Sequence, residues 1–172
     1  VAMCDAIEKA AGFRPGIKWT NDLVSDRRKL GGILTELRLD KNGNVDYAII
    51  GIGINCCQRE ADFPEEIRTV AGSLAMVTGA PVDRARLAAA ELEALHRMSA
   101  DLLPRKAQIM TRYRCDCITL GQEVSLVRGE EVRHGLAQDI DEDGALVVRF
   151  PDGHTEAVNS GEVSVRGMYG YV

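Results

Sequence analysis

Aromatic residues are scarce, at 5% of 172 positions, and no apolar run approaches the roughly 20 residues that a membrane helix needs. The longest run, Tyr47-Ala48-Ile49-Ile50-Gly51-Ile52-Gly53-Ile54, has strand length, so no membrane association is expected. An excess of positive charge is also lacking. The formal net charge is -5, and an acidic surface does not favour a polyanion. Residues 117–172 also lack interleaved basic and aromatic side chains, so a nucleic-acid-binding barrel is not expected there. No secretory signal opens the sequence. The five cysteines are odd in number, with Cys56 and Cys57 adjacent and Cys115 and Cys117 one residue apart. That spacing does not build a disulfide framework. Without a matching His or Cys cluster, the Cys-x-Cys pair is a weak zinc signal. Free thiols fit a cytoplasmic protein. What is present, 45% apolar residues, suits a globular chain with room for one ordinary domain, or a modest domain plus a small one.

The spacing of Val1, Met3 or Cys4, Ile7 and Ala10 or Ala11 predicts a helix over residues 1–11, stopped by Gly12. This helix has no cap before it and no initiator Met, so the chain is expected to begin inside a longer protein. Ile17-Lys18-Trp19 reads as a short strand that leads into Asn21-Asp22. Leu30 to Leu39 reads as a strand whose Gly31-Gly32 allow close approach to the backbone. Lys41-Asn42-Gly43-Asn44 predicts a type I′ hairpin turn, with Val45 to Asn55 as an antiparallel partner. Residues 62–69 read as loop or helix start. Asp83 is a candidate cap for an amphipathic helix over 84–103, with Leu87, Ala90, Glu91, Ala94, Leu95, Met98 and Leu102 along its stripe and Pro104 at its end. From about Cys117 short alternating segments follow: Glu123 to Val127, Glu131 to Asp139, Leu146 to Phe150, Thr155 to Val158 and Val163 to Val165. Glycine turns separate them, which points to a small barrel. The boundary falls near residues 111–116.

Three clusters carry chemistry. In Lys18-Trp19-Thr20-Asn21-Asp22, an ammonium can meet phosphate oxygens and a carboxylate can take their magnesium. Alone, the cluster also fits a polar turn after an edge strand. In Arg27-Arg28-Lys29-Leu30-Gly31-Gly32, basic residues enter a strand with bare backbone, which suits an anionic small molecule with a lysine on its carboxylate. Taken alone, the cluster fits a solvated charged loop before a strand better. Gly51-Ile52-Gly53-Ile54-Asn55 alternates glycine with isoleucine, so one strand face is bare and the other packed. The bare face can line a flat ligand or serve tight sheet packing. It is not the dinucleotide fingerprint, which opens a helix.

Taken together, Lys-Trp-x-Asn-Asp, Arg-Lys-Leu-x-Gly-Ile-Leu-x-Glu-Leu and Gly-Ile-Gly-Ile-Asn, in this order, resemble the biotin–protein ligase family. Ser160-Gly161-Glu162-Val163-Ser164-Val165-Arg166-Gly167 resembles the end of that family's C-terminal barrel. The likeness runs over nearly the whole chain. It departs at Thr20, where the family usually has Pro, and at Gly31, where Ala is common. The resemblance implies an α+β fold. Residues 1–112 would form the later part of a mixed or antiparallel catalytic sheet with packed helices, of the class II synthetase-like type and incomplete here. Residues 113–172 would form a small barrel of the Src-homology-3 type.

The same resemblance implies ATP-dependent activation of biotin to biotinyl-5′-AMP, then transfer to a lysine of a biotin carboxyl carrier domain, as in acetyl-CoA carboxylase. Lys29 would hold the biotin carboxylate and the charge that develops at its activation, and Gly32 would lie against biotin. Lys18, Asn21, Asp22, Asn55, Glu162 and Arg166 would serve ATP, with Asp22 and Asn55 near Mg2+. The first step joins two anions, so positive charge is the physical need. The adenylate must also be shielded from water. The family's Gly-Arg-rich loop and its biotin-ring contacts are expected upstream of residue 1, so this stretch alone is expected to have little ligase activity. Lipoate-type ligation and a non-catalytic protein-binding module are the rival readings. Homodimers by edge-to-edge sheet pairing occur in the family, and an open edge here would also invite aggregation.

Overall fold

A computed structural model describes residues 1–159 and 164–167. In chain order the elements are α1 (Ala2–Ala11), β1 (Gly16–Lys18), β2 (Asp22–Ser25), β3 (Arg28–Leu39), β4 (Val45–Ile54), α2 (Leu74–Thr78), α3 (Arg84–Asp101), α4 (Lys106–Asp116), β5 (Glu123–Arg128), β6 (Glu131–Ile140), β7 (Leu146–Arg149), β8 (Thr155–Val158) and β9 (Ser164–Gly167). Two antiparallel sheets result, ordered β1-β2-β3-β4 and β8-β7-β6-β5-β9. The fold is α+β, as expected.

α1 buries Met3, Cys4, Ala6 and Ile7 against α3 and one face of the first sheet. Ile17, Leu23 and Leu30 complete this core, with Ile33, Ile52 and Ile54 packed at its margin. Each large apolar side chain buried there contributes about 1.5–3 kcal/mol. Gly12 ends α1 in the left-handed conformation with φ 68°, which glycine adopts without strain. Side chains alternate across a strand, so the opposite face carries Lys18, Asp22, Gly32 and Gly53, which are register partners in the order Lys18↔Asp22, Asp22↔Gly32 and Gly32↔Gly53. Asp83 caps α3 by accepting from the amides of Ala85 and Arg86, as its type predicts.

Several expectations need correction. Asp22 does not lie in a loop; it opens β2, which pairs with both neighbours. The hairpin turn is not type I′. Only Gly43 has positive φ (83°), while Gly43 N–H donates to the Asp40 carbonyl and the Asp40 carboxylate accepts from the amides of Asn42 and Asn44. A side-chain cap thus replaces the second positive-φ residue. α2 and α4 escape the sequence pattern, because α2 is one short turn and α4 buries no residue fully. Leu102 leaves the stripe of α3 and stands 51% exposed.

The second sheet encloses its own core of Val124, Leu126, Ala137, Ile140, Leu146, Val148, Phe150 and Val158, joined by Trp19 from the turn after β1. Arg14 ties α1 to the C-terminal end of α4. Its guanidinium grips Asp116 through two bonds (2.9 and 2.6 Å) and donates to Asp5 and Glu8 (2.8 Å each). Burial raises the Asp5 pKa, but hydrogen bonds from Arg14 and Arg112 outweigh it and hold the carboxyl below its ordinary value. A depressed pKa gives stability that is present above the ordinary carboxylate value of about 4 and is lost as pH falls through the folded value. Arg14→Ala is expected to cost about 2 kcal/mol at neutral pH and to lose less stability than the parent on acidification below about pH 4. Urea midpoints at pH 7 and pH 3 measure both effects.

Candidate functional site

The Lys29 ammonium lies 2.6 Å from Asp22 Oδ1, with the Asp22 side chain 17% exposed and that of Lys29 41% exposed. Gly32 sits directly beside the pair. A Cβ there would lie 3.1 Å from Asp22 Oδ1 and 3.3 Å from Lys29 Nζ. Gly53 faces open space, and a Cβ on Gly51 would meet only a carbonyl at 3.8 Å. On the outward sheet face Gly32, Gly51 and Gly53 therefore leave a bare floor, with the Lys29 ammonium beside Gly32 at its end. A flat, anionic molecule fits such a floor.

The backbone of Lys29 is fixed from both sides. On one side its residue pairs with Val24 of β2 across a bulge. On the other, its N–H donates to the Val70 carbonyl (2.7 Å) and its carbonyl accepts from Gly72 N–H (2.9 Å). Asn55 pins this second flank: its side-chain amide donates to the Gly72 carbonyl (2.9 Å) and the Lys29 carbonyl (3.4 Å). Its backbone joins Leu30 and Leu74. Asn55→Ala is expected to cost about 1–2 kcal/mol of stability, since it strands the Gly72 carbonyl; thermal unfolding checks it.

Asn21 is held across the sheet. Its side-chain amide donates to the Ile33 carbonyl, and its own carbonyl accepts from Ile33 N–H (3.0 Å). Lys18 shares the outward face through its pairing with Asp22. Gly31 points inward, where a Cβ would come within 2.4 Å of the Gly53 carbonyl oxygen. The alanine common at that place in the family would require β3 and β4 to shift apart here, so the difference is not trivial. Glu162 lies outside the described residues. Arg166 falls in β9 opposite Ser125.

Magnesium demands hard oxygen ligands and is usually held by one or two carboxylates plus substrate phosphates. Among the described residues no group of three or more His, Cys, Asp or Glu forms a metal cage. Asp22 fits as a single protein ligand to an ion carried by phosphates. Asn55 fits less well, because its amide is committed to backbone carbonyls.

Two residues to which the sequence reading gave no role, Trp19 and Tyr113, fasten the segment that leads to Asp22. Trp19, the only tryptophan, donates from Nε1 to the Gly144 carbonyl (2.9 Å) and from its backbone N–H to Thr119 Oγ1 (2.9 Å). The Tyr113 hydroxyl donates to the Thr20 carbonyl (2.8 Å). The available signal was a lone indole beside Asn21-Asp22 in an aromatic-poor chain.

The profile of the Biotin/lipoate A/B protein ligase family matches residues 1–55, and that of the Biotin protein ligase C terminal domain matches residues 119–166. The chain is 32% identical over 154 residues to the bifunctional ligase/repressor BirA of Bacillus subtilis, covering 89% of this chain and 47% of that protein. It thus spans about half the length of such relatives. It is 30% identical over 171 residues to the biotin--[acetyl-CoA-carboxylase] ligase of Paracoccus denitrificans, covering 97% of this chain and 70% of that one. The biotin protein ligase from Aquifex aeolicus in complex with biotin and ATP superimposes with a TM-score of 0.81 at 28% identity, covering 96% of this chain and 68% of that chain. On the Paracoccus match above all, the chain belongs to the biotin protein ligase family.

Proposed function

We propose that this chain carries the carboxylate-activating site of an ATP-dependent biotin–protein ligase. The observation that carries the reading is the Lys29 ammonium beside Gly32, at the end of a strand face left bare by Gly51 and Gly53. A biotin carboxylate laid on that floor accepts from Lys29, which leaves or shares Asp22. The same charge offsets the repulsion as the carboxylate oxygen attacks the α-phosphorus of ATP. A bond forms from that oxygen to phosphorus, and pyrophosphate leaves. Biotinyl-5′-AMP remains, and the amine of a carrier-domain lysine then attacks its acyl carbon, forming the amide and releasing AMP.

Lys18 stands on the phosphate side of Asp22, and Asn21 keeps the connecting turn in register. Asp22 would hold a magnesium ion carried in with the nucleotide, and that ion would supply charge neutralisation at the phosphates. Asn55 acts as a clamp that orients Lys29. Glu162 and Arg166 are proposed for the nucleotide on the resemblance alone. The partner is the carrier domain of a biotin-dependent carboxylase, and the free edge of β4 is the place for a second copy. No helix among the described residues is long and apolar enough to cross a membrane. The five free cysteines fit a reducing cytoplasm.

Calorimetric titration with biotin, with and without Mg-ATP, tests the reading against lipoate as the competing carboxylate. Biotin binding that is stronger than lipoate binding and is lost in Lys29→Ala supports it. Binding of neither acid by the folded chain overturns it for this chain.

A further inference from the structure

The segment that bears Asn21 and Asp22 starts in the other half of the molecule. The Trp19 indole is 6% exposed and sits within the apolar core of the barrel. Its ring N–H is fixed to Gly144, and its backbone N–H is fixed to the buried Thr119. One residue later, the Thr20 carbonyl is held by Tyr113 of α4, a side chain packed against both cores. Two residues after that, Asp22 meets Lys29. Within four residues the backbone therefore passes from the barrel interior to the ammonium, with a hydrogen bond at Trp19, Thr20 and Asn21 in turn. Burial pushes the Tyr113 phenol well above its ordinary value, so it remains a donor across the working pH range.

We infer that Trp19 and Tyr113 are positioning residues: through them the C-terminal barrel sets the placement of Asp22 against Lys29, so that barrel seating and occupancy of the site are coupled. The consequence for binding rests on the ligase reading; the placement itself does not. Coupling of this kind is reciprocal. Ligand on Lys29 tightens the seat of Trp19 in the barrel, and loosening that seat weakens the ligand.

The test uses the whole chain with Tyr113→Phe, which deletes one hydroxyl. Leu87→Ala, a truncation in α3 that lies outside the barrel core seating Trp19, is the comparison for general loss of stability. Amide chemical shifts of Lys29 and Gly32 need no ligand. They are expected to move in Tyr113→Phe and to stay in place in Leu87→Ala. Unmoved shifts in Tyr113→Phe, or equal movement in both variants, overturn the inference. Biotin affinity is then expected to fall about fivefold in Tyr113→Phe, and less than about twofold in Leu87→Ala. If the parent chain binds no biotin while the shifts behave as expected, the ligase reading fails and the positioning role stands.

Discussion

Lys29→Ala is expected to lower biotin affinity by at least about a hundredfold, because two penalties act together. The ligand carboxylate loses a charge-assisted hydrogen bond, a contribution of about 1.5–3 kcal/mol. Asp22, whose carboxylate lay 2.6 Å from that ammonium, is also left facing an incoming anion. The double variant Lys29→Ala/Asp22→Asn separates these effects. If the lysine touches the ligand, removing the carboxylate recovers only part of the loss. If the lysine merely neutralises Asp22, the double variant binds as the parent does. In a full-length ligase of this family the corresponding change is expected to reduce adenylate formation further, since charge grows at the reacting oxygens as the phosphoryl group is attacked. Undiminished binding by Lys29→Ala would remove the lysine from the site.

Trp19→Ala carries the largest expected cost in stability, about 3–5 kcal/mol. The indole is a shared wall of the barrel core, clustered with Val124, Leu126, Leu146 and Val148, and its removal leaves a cavity among side chains that are otherwise buried. The Gly144 carbonyl loses its donor as well, which adds a desolvation penalty. Urea unfolding followed by far-UV circular dichroism measures the change, because the substitution removes the fluorophore. Trp19→Phe keeps much of the volume and is expected to recover more than half of the loss. A cost below about 1 kcal/mol for Trp19→Ala would show that the barrel closes without the indole.

Local chemistry made much of this legible. Gly12, Asp83 and Asn42-Gly43 punctuate the chain where glycine conformations and short polar caps are needed, and α1, α3 and the β3–β4 hairpin follow. The glycine-isoleucine alternation of β4 does separate a bare face from a packed one. What escaped depends on partners distant in sequence. Residues 70–72 flank Lys29 through backbone bonds to a partner some forty positions earlier, with Asn55 as a second tie, and nothing within 70–72 announces it. Asp22 reads as a loop residue until Gly32 and Lys18 are seen on either side of it. Trp19 reads as a strand end, because its burial is supplied by residues about a hundred positions later. α4 carries no apolar stripe, since Met110 packs against the barrel core alone while Tyr113 packs against both small cores.

The β3–β4 hairpin is firm at one end and bare at the other. Leu30 and Gly31 are buried, while every residue from Leu34 to Gly51 is exposed. The ladder bonds of the outer half therefore rest on backbone pairing alone, and local opening there costs far less than global unfolding. Such fraying starts at the Asp40 turn and runs inward, and it meets resistance where Ile33 and Ile52 reach the core. Lys29 and Gly32 lie beyond that stop. The distal hairpin can breathe many times over while the ammonium keeps its place.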